Sequence, residues 1–163
     1  MRAPKILRPK EIDGLIVYKI DKFQDERGFN SEIHRFYGNY TPVEHWLFDS
    51  FSCSKKNVLR GAHYDNKNDK LIQCLYGKIQ FVAFDARSKS PTYKNAFSII
   101  LDYKNPTQIY IPVGVANAHL CLSDECVFYY KWSHGYTPQK TKKWNEISVD
   151  WLTDKPILSD KDK

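Results

Sequence analysis

The chain has 163 residues, 42% hydrophobic and 15% aromatic, and 25 Lys and Arg against 19 Asp and Glu leave a net charge of +6. That length suits one domain with a full core, and the aromatic share suits a β-rich one. The basic residues are scattered, so no nucleic-acid footprint is expected, and no apolar run nears the ~20 residues of a membrane span.

The amino-terminal Met-Arg-Ala-Pro-Lys has no apolar stretch of the kind a signal peptide carries. The four cysteines, Cys53, Cys74, Cys121 and Cys126, include no CxxC pair and fit no zinc spacing. They are expected as small core residues, kept reduced in a cytoplasmic protein.

Along the chain, strands are predicted over residues 15–20, 71–75, 79–84, 97–101, 108–111, 119–122 and 127–132. Each is a run rich in Ile, Val, Phe or Tyr between turn residues. Tyr76-Gly77-Lys78 predicts a hairpin turn between the second and third, and Asn105-Pro106 a turn before the fifth. A short helix is predicted over residues 34–40, and a helical turn or an irregular tail after Trp144. Many short strands punctuated by Gly and Pro indicate an antiparallel sandwich or barrel. With no repeat and no linker, residues 1–163 read as a single domain.

Residues 52–70 carry the densest chemistry, gathering Arg60, His63 and Lys70 around a short turn. An imidazole can move a proton at neutral pH. Two nearby cations can hold an anionic substrate and stabilise an enolate. The combination points to carbon-acid chemistry on an anionic sugar.

Two half-motifs then resemble the jelly-roll barrel of the cupin type: Gly61-Ala62-His63-Tyr64-Asp65 with a later Gly77, and Pro112-Val113-Gly114 followed by His119. The second histidine of the first half is replaced by Asp65. His63, Asp65 and His119 could in principle supply two imidazoles and a carboxylate to a metal. Lys70 opposes a divalent ion there, so neither metal nor other cofactor is expected.

Seven blocks in order resemble the dTDP-4-dehydrorhamnose 3,5-epimerase family, metal-free cupins acting on nucleotide-linked 4-keto sugars. They are Phe23-Gln24-Asp25-Glu26-Arg27-Gly28-Phe29 with Glu32; Asn57-Val58-Leu59-Arg60-Gly61-Ala62-His63; Lys70-Leu71 with Gly77; Asp85-Ala86-Arg87 with Ser90-Pro91-Thr92; Ile111-Pro112-x-Gly114; Tyr130-Lys131; and Leu158-Ser159-Asp160-Lys161-Asp162. The resemblance implies an all-β cupin-type antiparallel jelly-roll barrel with short helical segments. It implies that His63 is the general base, Asp162 its orienting carboxylate, Tyr130 the acid on the opposite sugar face, and Lys70 the cation at the developing enolate. Arg27, Glu32 and Arg60 are implied to contact the nucleotide diphosphate sugar. It also implies a homodimer whose N-terminal strands cross to the partner.

Three positions depart from the family pattern. Phe48-Asp49-Ser50 stands where the family has Gln-x-Asn, Asn30 and Ser31 replace common aromatics, and Ala116-Asn117-Ala118-His119 replaces Ala-His-Gly-Phe. Asn117 and His119 are therefore expected at the substrate. Their arrangement resembles the branch that epimerises GDP-linked 4-keto heptoses for bacterial capsule, which stays open beside a dTDP-linked deoxyhexose. A 3,4-ketoisomerase and a catalytically silent sugar-nucleotide-binding barrel are the competing readings.

Overall fold

The computed structural model describes residues 4–34 and 42–163. Thirteen strands lie among these residues: β1 (Lys5–Leu7), β2 (Ile16–Lys19), β3 (Lys22–Asp25), β4 (Gly28–Ser31), β5 (Phe48–Lys55), β6 (Leu59–Tyr64), β7 (Lys70–Tyr76), β8 (Lys78–Asp85), β9 (Ala96–Asp102), β10 (Thr107–Ile111), β11 (Val115–Cys121), β12 (Glu125–Trp132) and β13 (Lys140–Thr141). They form a six-stranded sheet in the order β1-β2-β10-β7-β12-β5 and a five-stranded sheet in the order β13-β6-β11-β8-β9. β3 and β4 pair only with each other. All the pairings between these strands are antiparallel, as the cupin-type barrel requires.

The two large sheets share one core. Ile72 and Cys74 of β7, Ile109 and Ile111 of β10 and Phe128 of β12 meet Ile79, Phe81 and Ala83 of β8, Leu101 of β9 and Cys121 of β11. Side chains alternate along a strand, so each sheet also has an outer face. On β8 that face carries Gln80, Val82 and Phe84, and it too is buried. The segment after β13 covers it with Ile147, Val149 and Trp151. Gln80 fastens that cover, its amide donating to the Asp150 carbonyl at 2.8 Å and its oxygen accepting from the Leu152 amide at 2.9 Å. Enclosing Phe81 or Phe128 in this core contributes about 1.5–3 kcal/mol each.

The seven predicted strands are all present, with ends shifted by up to four residues. The predicted hairpin at Tyr76-Gly77-Lys78 is corrected: β7 and β8 lie in different sheets. A single residue between strands is too short for a two-residue hairpin loop. Gly77, at φ +76°, instead turns the chain from one sheet to the other, and a Cβ there would run into the Glu125 carbonyl. Residues 59–64 are a strand, not part of a turn. The segment after Trp144 begins with a 3-10 turn, Trp144–Glu146. The helix predicted over residues 34–40 lies almost wholly outside the described residues. Cys74, Cys121 and Cys126 are buried, whereas Cys53 is exposed because it occupies an outward position of β5.

Candidate active site

A cavity of about 290 Å³ opens between the two sheets. Inward positions of β5, β6, β7, β11 and β12 form its walls, and the carboxyl end of the chain closes one side with Ser159, Lys161 and Asp162. His63, Lys70, Tyr130, Asp162, Arg60, Asn117 and His119 all line it.

Arg60 and His63 reach the same cavity only because β6 is irregular. Residues three apart on a regular strand face opposite ways. Here Asn117 pairs with His63 and His119 with Arg60, so two steps on β11 span three on β6. The surplus residue resets the alternation, as a β-bulge does. Ala62 is left on the outer face, in the cluster under Ile147. Gly61 sits at the irregularity with φ +112°, and a Cβ there would come within 2.5 Å of the Asn117 carbonyl oxygen and 2.8 Å of the Ala118 Cα.

Asp162 is buried although it is the penultimate residue. The chain leading to it is tied down beside β6: the Leu59 amide donates to the Ile157 carbonyl at 3.0 Å, and the Ile157 amide to the Asn57 carbonyl at 2.8 Å. One Asp162 carboxylate oxygen lies 2.6 Å from His63 Nε2, and the other accepts from the Gly61 amide at 3.4 Å. A carboxylate at that distance takes the ring N–H, which leaves the Nδ1 lone pair as the base. Burial pulls the His63 pKa below its ordinary value, and Asp162 opposes that shift. The imidazole is therefore neutral near pH 7 and able to accept a proton.

Lys70 is almost fully buried. Its Nζ donates to Gln139 Oε1 at 2.8 Å and to Asn117 Oδ1 at 3.3 Å, and lies 4.6 Å from the centre of the Trp132 ring. Burial lowers its pKa to about 8, with Asp65 opposing. The ammonium form still prevails at neutral pH. Arg60 stands at the mouth, donating to Ser54 Oγ at 2.9 Å and the Cys53 carbonyl at 3.1 Å. Tyr130 projects from β12 between Phe128 and Trp132, with ring centres 5.6 and 5.8 Å away.

His119 stacks on Phe128 at 4.1 Å, and its Nε2 is buried without a partner. Burial drives its pKa down to about 3, so it stays neutral. Asp65 is committed elsewhere: one oxygen accepts from the Lys67 and Asn68 amides at 2.8 and 2.7 Å, the other from Gln139 Nε2 at 2.6 Å. Among the described residues no group of three His, Cys, Asp or Glu side chains is arranged to hold a metal ion.

The dTDP-4-dehydrorhamnose 3,5-epimerase family model matches residues 9–163. A Shigella flexneri dTDP-4-dehydrorhamnose 3,5-epimerase is 34% identical over 93% of this chain and 90% of its own length. The chain belongs to this family. Its fold superposes on the Legionella pneumophila Philadelphia 1 dTDP-6-deoxy-D-glucose-3,5-epimerase, solved with dTDP-4-keto-L-rhamnose, with TM-score 0.90 and 32% identity over 97% of this chain and 89% of that one. A Bacillus anthracis dTDP-4-dehydrorhamnose 3,5-epimerase, solved with TDP and PPi, gives TM-score 0.91 and 29% identity over 98% and 97%.

Two of the residues expected at the substrate of this 3,5-epimerase lie elsewhere in the single chain. Arg27 and Glu32 do not line this chain's cavity. Arg27 sits on the turn of the isolated β3–β4 hairpin, its side chain exposed and its Nε donating to Asp25 at 3.1 Å. Glu32 follows β4 directly. Because that hairpin hydrogen-bonds to neither large sheet, it carries both residues away from the cavity. Of the departures, Phe48 stacks on Trp132 at 5.3 Å, while Asp49 accepts from Lys131 at 2.7 Å and Tyr129 at 2.8 Å. Neither lines the cavity, whereas Asn117 and His119 do.

Sequence reasoning missed Trp132 and Gln139 in this 3,5-epimerase site. Trp132 was within reach, because it stands two residues beyond Tyr130 on one strand and so faces the same way. Gln139 had no signal: it lies in a loop and matters only through two partners distant in sequence.

Proposed function

We propose that the chain is a cofactor-independent isomerase that inverts C3, C5 or both of a dTDP-linked 4-keto-6-deoxy sugar in surface-polysaccharide precursor synthesis. The observation that carries this is one cavity holding a neutral imidazole braced by Asp162, a buried ammonium at Lys70 and a phenol at Tyr130. His63 takes the proton from the carbon beside the ketone. The C–H electron pair becomes the enolate double bond, and negative charge gathers on the C4 oxygen. Lys70 stabilises that oxygen, and losing such a donor costs about 3–4 kcal/mol of barrier. Tyr130 then delivers a proton to the opposite face, inverting the centre; His63 afterwards releases its proton to solvent and the Tyr130 phenolate takes one up, which restores the pair. The dTDP-sugar and TDP ligands of the structural relatives support the dTDP choice.

Two chains together account for Arg27 and Glu32: the β3–β4 hairpin of each copy reaches the cavity of the other in a homodimer, and the reaction runs in the cytoplasm. All four β3 residues are exposed, and Phe23 and Phe29 show large apolar surface. A monomeric mass in solution would refute this arrangement.

The test is incubation with dTDP- and GDP-linked 4-keto sugars in D₂O, followed by NMR. Deuterium at C3 or C5 of the dTDP sugar is the expected result. Uptake only into a GDP-linked heptose, the choice favoured by the Asn117-x-His119 pattern, would move the substrate to that branch. Uptake confined to C3 with the carbonyl displaced would mark a ketoisomerase. No uptake into any of them would leave only a binding barrel.

A further inference from the structure

Asp65 entered the sequence reading as a metal-ligand candidate, and the proton-transfer scheme above gives it no task. Its geometry gives it one. Asp65 Oδ1 staples the loop between β6 and β7 through the Lys67 and Asn68 amides. Asp65 Oδ2 accepts from Gln139 Nε2 at 2.6 Å and lies 3.8 Å from Lys70 Nζ. With its NH₂ engaged by Asp65 and, at 3.0 Å, by the Thr137 carbonyl, the Gln139 amide has one orientation left. That orientation points Oε1 at Lys70 Nζ, 2.8 Å away.

We propose that Asp65 and Gln139 are positioning residues that together fix where the Lys70 ammonium points and keep it charged at the carbon-acid site. An amide alone would be free to flip and offer Lys70 a donor; the carboxylate forbids the flip. A carboxylate alone in direct contact would hold Lys70 as a closed ion pair and spend its charge. Interposing Gln139 leaves the ion at longer range and the ammonium available to a substrate oxygen. Burial would otherwise push Lys70 toward the neutral amine, and Asp65 is the group that resists this. The other charged or titratable groups lining the cavity are His63 and Arg60 from β6, His119 from β11, Tyr130 from β12, Tyr136 from the loop after β12, and Lys161 and Asp162 from the tail; Asn117, Gln139 and Trp132, which touch Lys70, are neutral.

The catalytic consequence rests on the epimerase reading, but the titration does not. The experiment compares wild type, Asp65→Asn and Gln139→Glu in two measurements. The first is the pH midpoint of the Lys70 Nζ signal in ¹⁵N-lysine protein, assigned with Lys70→Met. The second is the alkaline limb of kcat/KM for deuterium exchange. Activity needs the ammonium, so it falls as pH rises through the Lys70 midpoint. Asp65→Asn removes a negative charge and frees the Gln139 amide, so midpoint and limb move down by about one pH unit or more. Gln139→Glu sets a second carboxyl against Asp65, and the two share a proton, so the pair keeps a single negative charge and both move by less than in Asp65→Asn. If Asp65 only staples its loop, Asp65→Asn lowers thermal stability and leaves the midpoint in place, which overturns the proposal. Midpoints that shift as stated, in a wild type that exchanges no proton, would uphold it and defeat the epimerase reading instead.

Discussion

Asp162→Asn tests the base most directly. When His63 takes hydrogen from carbon, the pair becomes an imidazolium facing a carboxylate 2.6 Å away. An amide of the same shape keeps an acceptor for the ring N–H and loses the charge. A hydrogen bond to a charged group is worth about 1.5–3 kcal/mol, so roughly 2 kcal/mol of transition-state stabilisation goes. At 1.36 kcal/mol per decade that is about 30-fold in the exchange rate. The pH profile moves as well. Exchange needs neutral His63 and is lost as pH falls through its pKa. Asp162 raises that pKa, so without the carboxylate the acid limb shifts to lower pH. Deuterium uptake at saturating substrate, followed by NMR across pH, gives both quantities. Thermal unfolding of the same variant checks that the Gly61 contact has not cost the fold. A wild-type rate with an unmoved acid limb would refute the assigned role of Asp162.

Tyr130→Phe should still exchange hydrogen yet form little inverted product; equal loss of both, read by NMR and product analysis, would assign Tyr130 another task. Gly61→Ala puts a methyl against the Asn117 carbonyl at a φ unfavourable to side chains, so a fall in Tm together with loss of exchange is expected. Asp85 is fully buried and accepts from Arg87, Ser90 and Thr92. Burial alone would raise its pKa, but those donors outweigh it and hold the carboxyl well below the usual range. Asp85→Ala, which strands Arg87, should cost about 3–5 kcal/mol in urea unfolding. In the wild type the stability due to Asp85 is present above its unfolded pKa and is lost only as pH falls below about 4. With the hairpin of each copy in the cavity of the other, as proposed, Arg27→Ala should raise KM with little change in kcat.

Legibility followed how far function interferes with pattern. β8 was visible because its apolar run serves packing, and β12 because the residues it gives the cavity, Phe128, Tyr130 and Trp132, are aromatics of the kind a strand favours. β5 was hidden: its inward Ser52 and Ser54 face the cavity and Arg60, while apolar Phe51 points outward, the reverse of a core strand. β6 looked like a turn because Gly61 and two charged or polar side chains replace the alternation of a buried strand. The hairpin at Gly77 was misread because local turn chemistry does not say which sheet a strand joins. Asp162 was identifiable only through the terminal block that resembles the family, since no periodicity predicts a buried carboxylate next to the chain end. Gln139 required the folded neighbours of Lys70 to be known.

The surplus residue in β6 has a consequence for engineering. Transplanting Arg60 and His63 onto another β-scaffold at matching positions would aim one of them at solvent, unless the kink travelled with them. Likewise, a template search for proton-moving histidines that assumes even spacing of cooperating groups along a strand would pass over this pair.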